Sequence, residues 1–334
     1  MIAIATCATK SYMHALPQCL RSIAAAAAHH EKAHFILATD ESKEGKNAEE
    51  MARNELPEGW QITVIRLKGM EDDSKDYKAN AQLRIAALQG AAFHFARAKV
   101  RADMLWSVES DNIVPANALR VLEWTLGMPT ADGSPHYDVA AGTYPNGLFL
   151  GGFGTPQHPI EEDFLPSERK LPERLKLAFE TCEKRLKESP CEKEGKRMGR
   201  LREQIKKCPP DGNIWEITAK HGWRRRGWMD FAYPGIGEGA VVPSDWCGLG
   251  CTLISKRALA LADFAGYDGN GTQDLFLCWN RWHPAGLRIA CVPHVACDHV
   301  KREGKEIVHY RAYHEQEPAY KGHLRVRKQP FIPC

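Results

Sequence analysis

The sequence has 334 residues, 43% of them hydrophobic, and a formal net charge of +3. This is enough apolar material for one large domain, or one domain carrying an insertion, and the mild basic balance permits an anionic partner without demanding one. No stretch reaches the roughly 18–20 apolar residues that a membrane span needs, and the first residues lack the basic and apolar regions of a signal peptide, so a soluble protein of the cytoplasm (the host's, for a viral source) is expected.

Strand-like and helix-like segments alternate from the start. Ile2 to Cys7 is a short apolar, β-compatible run, and Met13, Leu16, Leu20 and Ile23 then recur at helical spacing. His34 to Asp40 is an apolar run ending in a carboxylate, and Trp60 to Leu67 alternates and is rich in β-branched residues. A long helix is predicted over Tyr77 to Lys99, an apolar strand over Met104 to Val108, a helix around Ala116 to Leu126 and a further strand-like run from Tyr137 to Thr143. Strand alternating with helix implies an α/β domain with a largely parallel sheet.

The pattern breaks near Leu150, where Gly151, Gly152, Gly154, Pro156 and Pro159 cluster. Glu161 to Lys207 is dense in both charge signs. Leu171, Leu175, Phe179 and Cys182 form one helical stripe, Met198, Leu201 and Ile205 a second, and Pro190 lies between, which predicts an inserted charged helical hairpin. The 11 cysteines, an odd number without a tight framework, suggest reduced thiols. Cys182, Cys191 and Cys208 with His221 could hold a metal, although unpaired thiols explain them as well. Apolar character returns near Val241, with a glycine-punctuated run from Trp246 to Ile254, an apolar helix over Leu275 to Trp282 and a strand over Leu287 to Val292. The predicted organisation is therefore 1–150, an insertion over 151–235, a returning half over 236–300 and a basic tail over 301–334 for which no element is predicted.

Chemistry-bearing residues cluster at the ends of these segments. Glu109-Ser110-Asp111 puts two carboxylates at the C-terminal end of an apolar strand, where α/β sheets place ligands and where both can converge on a divalent cation that holds a diphosphate. The same pattern also serves as a loop cap. His299 follows a later strand and supplies a borderline donor suited to manganese. Asp274 opens a helix, where it fits either an N-cap or a general base.

Taken in order, the acidic pair, the glycine-rich segment, the Asp at a helix start and the later His resemble a GT-A glycosyltransferase of the inverting family-2 type. The resemblance covers roughly Met1 to Ala141 and Val241 to Val300. It implies a GT-A (Rossmann-like) fold with a mixed, mostly parallel sheet flanked by helices, and a sugar moved from a nucleotide-diphosphate donor, a UDP-sugar being favoured, to an acceptor hydroxyl. In this reading Asp111, Glu109 and His299 hold manganese or magnesium, Asp274 is the base, and Thr6, Thr9, Asp40 and Ser110 border the donor. Trp246, Gly248, Gly250 and Gln273 line the sugar and acceptor pocket. Glu109 stands where the family has its first aspartate, and Gln273 where it has a glutamate before the base. Lys78, Asn80 and Arg84, around the start of the helix preceding the acidic pair, are candidates for pairing with donor phosphate.

The segment Trp223-Arg224-Arg225-Arg226-Gly227-Trp228 interleaves cations and aromatics, and Arg325, Arg327 and Lys328 add charge near the end. Such a loop suits nucleic acid, and one acceptor it fits is a hydroxymethylated base in DNA flipped from the stack. A glycan explains Trp223 and Trp228 equally well, since aromatics also stack on sugars, and a protein acceptor is a further alternative. Two other readings stay open. A nucleotidyltransferase would share the architecture, although Ala8-Thr9-Lys10-Ser11-Tyr12 lacks the glycine of its usual first loop. A catalytically inactive nucleotide- or nucleic-acid-binding protein would account for Glu109 and Gln273.

Overall fold

A computed structural model describes residues 1–68, 77–129, 133, 136–146, 149–151, 153–154, 169–208, 241–244, 246–269, 272–303, 306–314 and 324–330. The chain divides into two units, one made of Met1–Gly154 with Arg225–Cys334 and the other of Thr155–Arg224.

In the larger unit the alternation becomes β1 (Ile2–Ala8), α1 (Leu16–Ala26), β2 (His34–Asp40), α2 (Lys43–Glu55), β3 (Gln61–Leu67), α3 (Tyr77–Phe95), β4 (Met104–Val108), β5 (Asn112–Ile113), α4 (Ala118–Leu126) and β6 (Val139–Asn146). Short strands β7 (Phe149–Gly151) and β8 (Phe153–Gly154) follow. The helices bury one face, as Leu16, Cys19, Leu20, Ile23 and Ala26 do in α1, and β1, β2 and β4 run almost wholly buried, as the middle of a sheet covered on both sides requires, while the edge strand β3 is half-buried. Helix α2 is absent from the sequence-based prediction. Its buried residues are only Gly45, Ala48 and Ala52, so the apolar stripe is faint. Its local signal is the N-cap Ser42, whose side chain accepts from Gly45 N.

The smaller unit contains helices α5 (Glu173–Glu188) and α6 (Glu192–Lys206), and after it the chain resumes with β9 (Val242–Ser244) and β10 (Trp246–Cys247). Then come β11 (Cys251–Ser255), α7 (Lys256–Ala260), α8 (Gln273–Leu277), β12 (Ile289–Ala296), β13 (Asp298–Glu303), β14 (Glu306–His314) and β15 (Leu324–Pro330). Helix α8 runs on as a wider π turn through Cys278–Trp282.

Among the described residues the main sheet has the order β3-β2-β1-β4-β11-β6-β12-β9, with β7 beside β6. Strands β3, β2, β1 and β4 are parallel, β11 runs antiparallel between β4 and β6, and β6 and β12 are parallel. This is an α/β fold with a mixed, mostly parallel sheet flanked by helices, as expected of a GT-A (Rossmann-like) arrangement. Because β1 has β2 on one side and β4 on the other, the chain order reverses between β1 and β4, and a crevice opens at their C-terminal ends.

A second sheet has the order β15-β14-β13-β5. Residues beyond 300, read from sequence as a tail without structure, thus contribute two strands and part of a third. Arg325, Arg327 and Lys328 lie in β15. Among the described residues no helix is long and apolar enough to cross a membrane.

In the smaller unit, α5 and α6 pack through Cys182, Met198 and Leu201, with Leu175, Ala178, Phe179 and Leu186 around them. The two helices correspond to the two apolar stripes read from the charged segment. Cys182 Sγ donates to Glu194 Oε2 at 3.2 Å and Cys208 Sγ to the Gln204 carbonyl at 3.6 Å, and His221 lies outside the described residues.

Candidate active site

The acidic motif follows β4 at this crevice. Glu109 N donates to the Gly250 carbonyl (3.0 Å), and Asn112 N returns to the Glu109 carbonyl (3.0 Å), so the chain turns tightly through Ser110 and Asp111. Asn112 then enters β5, which pairs with β13: Asn112 lies opposite His299, and Val300 N donates to the Asp111 carbonyl at 2.8 Å. This pairing carries His299 to Asp111, 188 residues away in sequence, and His299 Nε2 stands 2.9 Å from Asp111 Oδ2. Both side chains are buried, at 7% and 10% exposure. His299 lies within a strand rather than in the loop after one. The Tyr144 ring packs edge-on against it, with centroids 5.7 Å apart.

Asp274 arrives from the other side. Helix α8 packs against β10 and α3, and the Asp274 carboxylate accepts from Leu275 N (2.9 Å) and from the Thr272 hydroxyl. Its charge reaches the acidic motif. Burial, then Asp111, then Asp274 push the Glu109 carboxyl up to about 8, against a pull downward from Lys301. Burial, followed by Glu109, Asp274 and Asp111, also holds the Tyr144 hydroxyl well above its ordinary range, and burial with Asp274 and Asp268 takes Tyr267 to about 12. Asp111 is buried and Glu109 and Asp274 half-buried, and the two aspartates oppose ionisation of Glu109.

An open cleft of about 420 Å³ adjoins the motif, lined by Cys7, Thr9 and Tyr12 from the end of β1, Leu88 and Gln89 from α3, and Glu109 to Asp111. Gln89 is 2% exposed, and its Oε1 has no hydrogen-bond partner among the described residues. A buried acceptor left unpaired costs stability. Sequence reading missed it, since a glutamine within an apolar helix carries no distinctive spacing. His14, whose pKa burial and Arg302 lower while Asp111 raises it, is a second missed neighbour.

The remaining residues named from sequence distribute as follows. Thr9 and Ser110 line the cleft. Thr6 is buried within β1, and Arg84 is half-buried on α3. Asp40 ends β2, where its Oδ1 accepts from Ser42 N (3.0 Å) and from the Ser42 hydroxyl, a local turn at the entrance to α2. Trp246 and Gly248 are buried on the approach to β11, where the Gly248 carbonyl accepts from Thr252 Oγ1 at 2.6 Å, and Gln273 is buried at the first position of α8. Lys78 and Asn80 fall in the first turn of α3, with side chains outside the described residues. Trp223, Arg224, Arg225, Arg226 and Trp228 also lie outside them.

The donor set suits a divalent cation in part. A carboxylate oxygen and an imidazole nitrogen 2.9 Å apart have about the spacing of adjacent ligands around manganese or magnesium, and imidazole favours manganese. Glu109 does not bring an oxygen within 4.8 Å of both, and its Oε2 lies instead where a side chain on Gly250 would meet it.

No family model matches the sequence, and no curated protein resembles it at the level of sequence. Weak likenesses to solved structures exist. A197 from STIV aligns over 99% of this chain and 97% of its own at 10% identity, with a TM-score of 0.40. TarS 1–349 of S. aureus, solved in complex with UDP-GlcNAc, covers 46% of this chain and 39% of its own at 13% identity (TM-score 0.29). The galactosyltransferase LgtC, solved with donor and acceptor sugar analogues, covers 51% and 55% at 15% identity (TM-score 0.29).

Proposed function

We propose that this protein is a divalent-metal-dependent glycosyltransferase that moves a sugar from a nucleotide-diphosphate donor, UDP-sugar being favoured, to an acceptor hydroxyl. The observation that carries the reading is the buried Asp111–His299 pair at the end of β4, beside a cleft at the β1–β4 reversal and within the field of Asp274. On this reading residues up to about 150 carry the donor, and the returning segment over 236–300 brings the base.

Asp111 and His299 would hold a cation of the manganese class, which neutralises charge developing on the leaving diphosphate when bound. The nucleoside end lies in the cleft, where Gln89 Oε1 accepts a donor N–H or O–H. Lys301 is two residues beyond His299 and so on the same face of β13, where it adds positive charge. Asp274 takes the proton of the acceptor hydroxyl as its oxygen attacks the anomeric carbon, and direct displacement inverts that carbon.

Two acceptor classes enter one test. The purified protein is incubated with a panel of nucleotide sugars, with manganese or with chelator, and with oligosaccharides or hydroxymethylated duplex DNA. Manganese-dependent release of a nucleoside diphosphate, lost in Asp111→Asn, supports the reading, and the labelled product names the acceptor. Release of pyrophosphate from a nucleoside triphosphate would replace it with nucleotidyl transfer, and donor binding without turnover on any acceptor would leave a binding protein.

A further inference from the structure

A second group of metal-ligand side chains lies away from this crevice. His29 Nε2 is 2.8 Å from Glu123 Oε2, and His30 Nε2 is 2.6 Å from Glu123 Oε1. The three ligand atoms all lie within 4.8 Å of one another, and among the described residues this is the one such grouping of three. We propose that His29, His30 and Glu123 bind a transition-metal ion of the zinc class.

The framework is fixed before any ion arrives. His30 N donates to the Ala27 carbonyl (2.9 Å) at the end of α1, and the His30 carbonyl accepts from the indole of the buried Trp60 (3.1 Å). Glu123 stands on α4, whose neighbouring Leu119, Leu122 and Leu126 are buried in the core. Backbone and helix thus hold the three donors from two elements. Ligands preorganised in this way bind without a large ordering cost.

Donor chemistry selects the ion. Two imidazoles and one carboxylate suit zinc, nickel, cobalt or copper far better than magnesium or calcium, which take oxygen. Four-coordinate zinc at about 2.0–2.1 Å sets its ligands roughly 3.3 Å apart, so each His–Glu123 pair opens slightly while the two ring nitrogens, within 4.8 Å of one another, come to that spacing by side-chain rotation. The side chains are 20–24% exposed, which leaves an entry path and room for a water as fourth ligand. In the metal-free form the same carboxylate satisfies both rings, so the group is stable without the ion and ready to take it.

This grouping is distinct from the Asp111–His299 pair. Cys19 of α1 touches the acidic motif through the Glu109 carbonyl (3.4 Å), and α1 runs from there towards the start of β2. From Cys19 the helix runs seven more residues to Ala26, about 10 Å at about 1.5 Å each, and the histidines lie in the turn beyond, towards the opposite end of the sheet. A bound ion there would tie the α1–β2 connection to α4.

The test uses the full chain stripped by chelator and dialysed. Zinc equivalents are counted by titration calorimetry, and cobalt is added to read the visible bands of an imidazole-bearing site. Asp111→Asn protein is expected to bind one zinc with raised Tm, and adding His29→Ala with His30→Ala is expected to abolish that equivalent. Glu123→Gln, which keeps the neutral hydrogen-bonding shape, is expected to weaken zinc at least about tenfold, which covers the case of a histidine variant that folds poorly. No zinc bound by the Asp111→Asn protein, or binding unchanged by the histidine and Glu123 variants, would overturn the proposal.

Discussion

Asn112 donates its side-chain amide to the Gly250 carbonyl at 3.0 Å, tying the acidic turn after β4 to the turn before β11. The approach is close enough to exclude a side chain at Gly250. An added Cβ would lie 2.4 Å from Asn112 Nδ2 and 2.8 Å from Tyr144 Cε1. Gly250→Ala is therefore expected to lower the urea midpoint by the equivalent of about 1–3 kcal/mol and to abolish donor cleavage by displacing Asp111. A variant with unchanged midpoint and activity would show that the turn yields without cost.

On the proposed reading, replacing either half of the buried pair removes a cation ligand. Asp111→Asn and His299→Ala are each expected to reduce manganese-dependent donor cleavage by at least about a hundredfold, the scale of losing about 2.7 kcal/mol of transition-state stabilisation. Initial rates across a manganese titration check this. Partial recovery at high metal concentration points to weakened binding rather than a broken fold.

Asp274→Asn keeps the shape of α8 but cannot take a proton. Donor affinity, measured by calorimetry with a nucleoside diphosphate, is expected to stay within about threefold, while transfer falls by roughly 10²–10⁴-fold. Normal transfer in this variant removes Asp274 from the role of base.

Glu109 gives the metal-free protein a pH signature. Its folded value, about 8, lies above the ordinary 4.5, so across that interval the folded chain holds a proton that the unfolded chain has released. Stability from this group is present in full below about pH 4.5, falls as pH rises, and is gone above about pH 8. Glu109→Gln mimics the protonated form. In chelator, its unfolding free energy is expected to match the parent in acid and to exceed it by a few kcal/mol near pH 9. Parallel curves for the two proteins would disprove the shift.

Gln89→Leu removes an acceptor that has no partner among the described residues. Thermal stability is expected to hold or rise by up to about 1 kcal/mol, while KM for the nucleotide sugar rises at least about tenfold with kcat little changed. A stability loss with unaltered KM would make Gln89 a packing residue only.

Much of the frame can be read from the order of residues. β1, β2 and β4 are apolar runs that reach Thr9, Asp40 and Glu109 at their C-terminal ends, and such runs mark both a buried strand and its ligand-facing end. The hairpin of α5 and α6 shows because its apolar stripes stand out against charge. Helix α2 does not, since Ala48 and Ala52 bury almost nothing that a hydropathy pattern can register. Strands β13 to β15 escaped for a different reason: Lys301, Arg302 and the basic residues of β15 resemble a solvated tail, and only pairing with β5 explains their order. Within the site, Asp111, Asp274 and His299 stand at element ends, where sequence is informative. Tyr144 and Gln89 sit inside elements and read as core.

The pairing of β5 with β13 also has a temporal meaning. A ribosome makes Asp111 long before His299, and β13 cannot dock until nearly 200 further residues have been synthesised. The nascent chain therefore carries the acidic turn without the histidine that pairs with it. A chain that stops early lacks β11, the strand between β4 and β6, as well as the histidine beside the acidic turn.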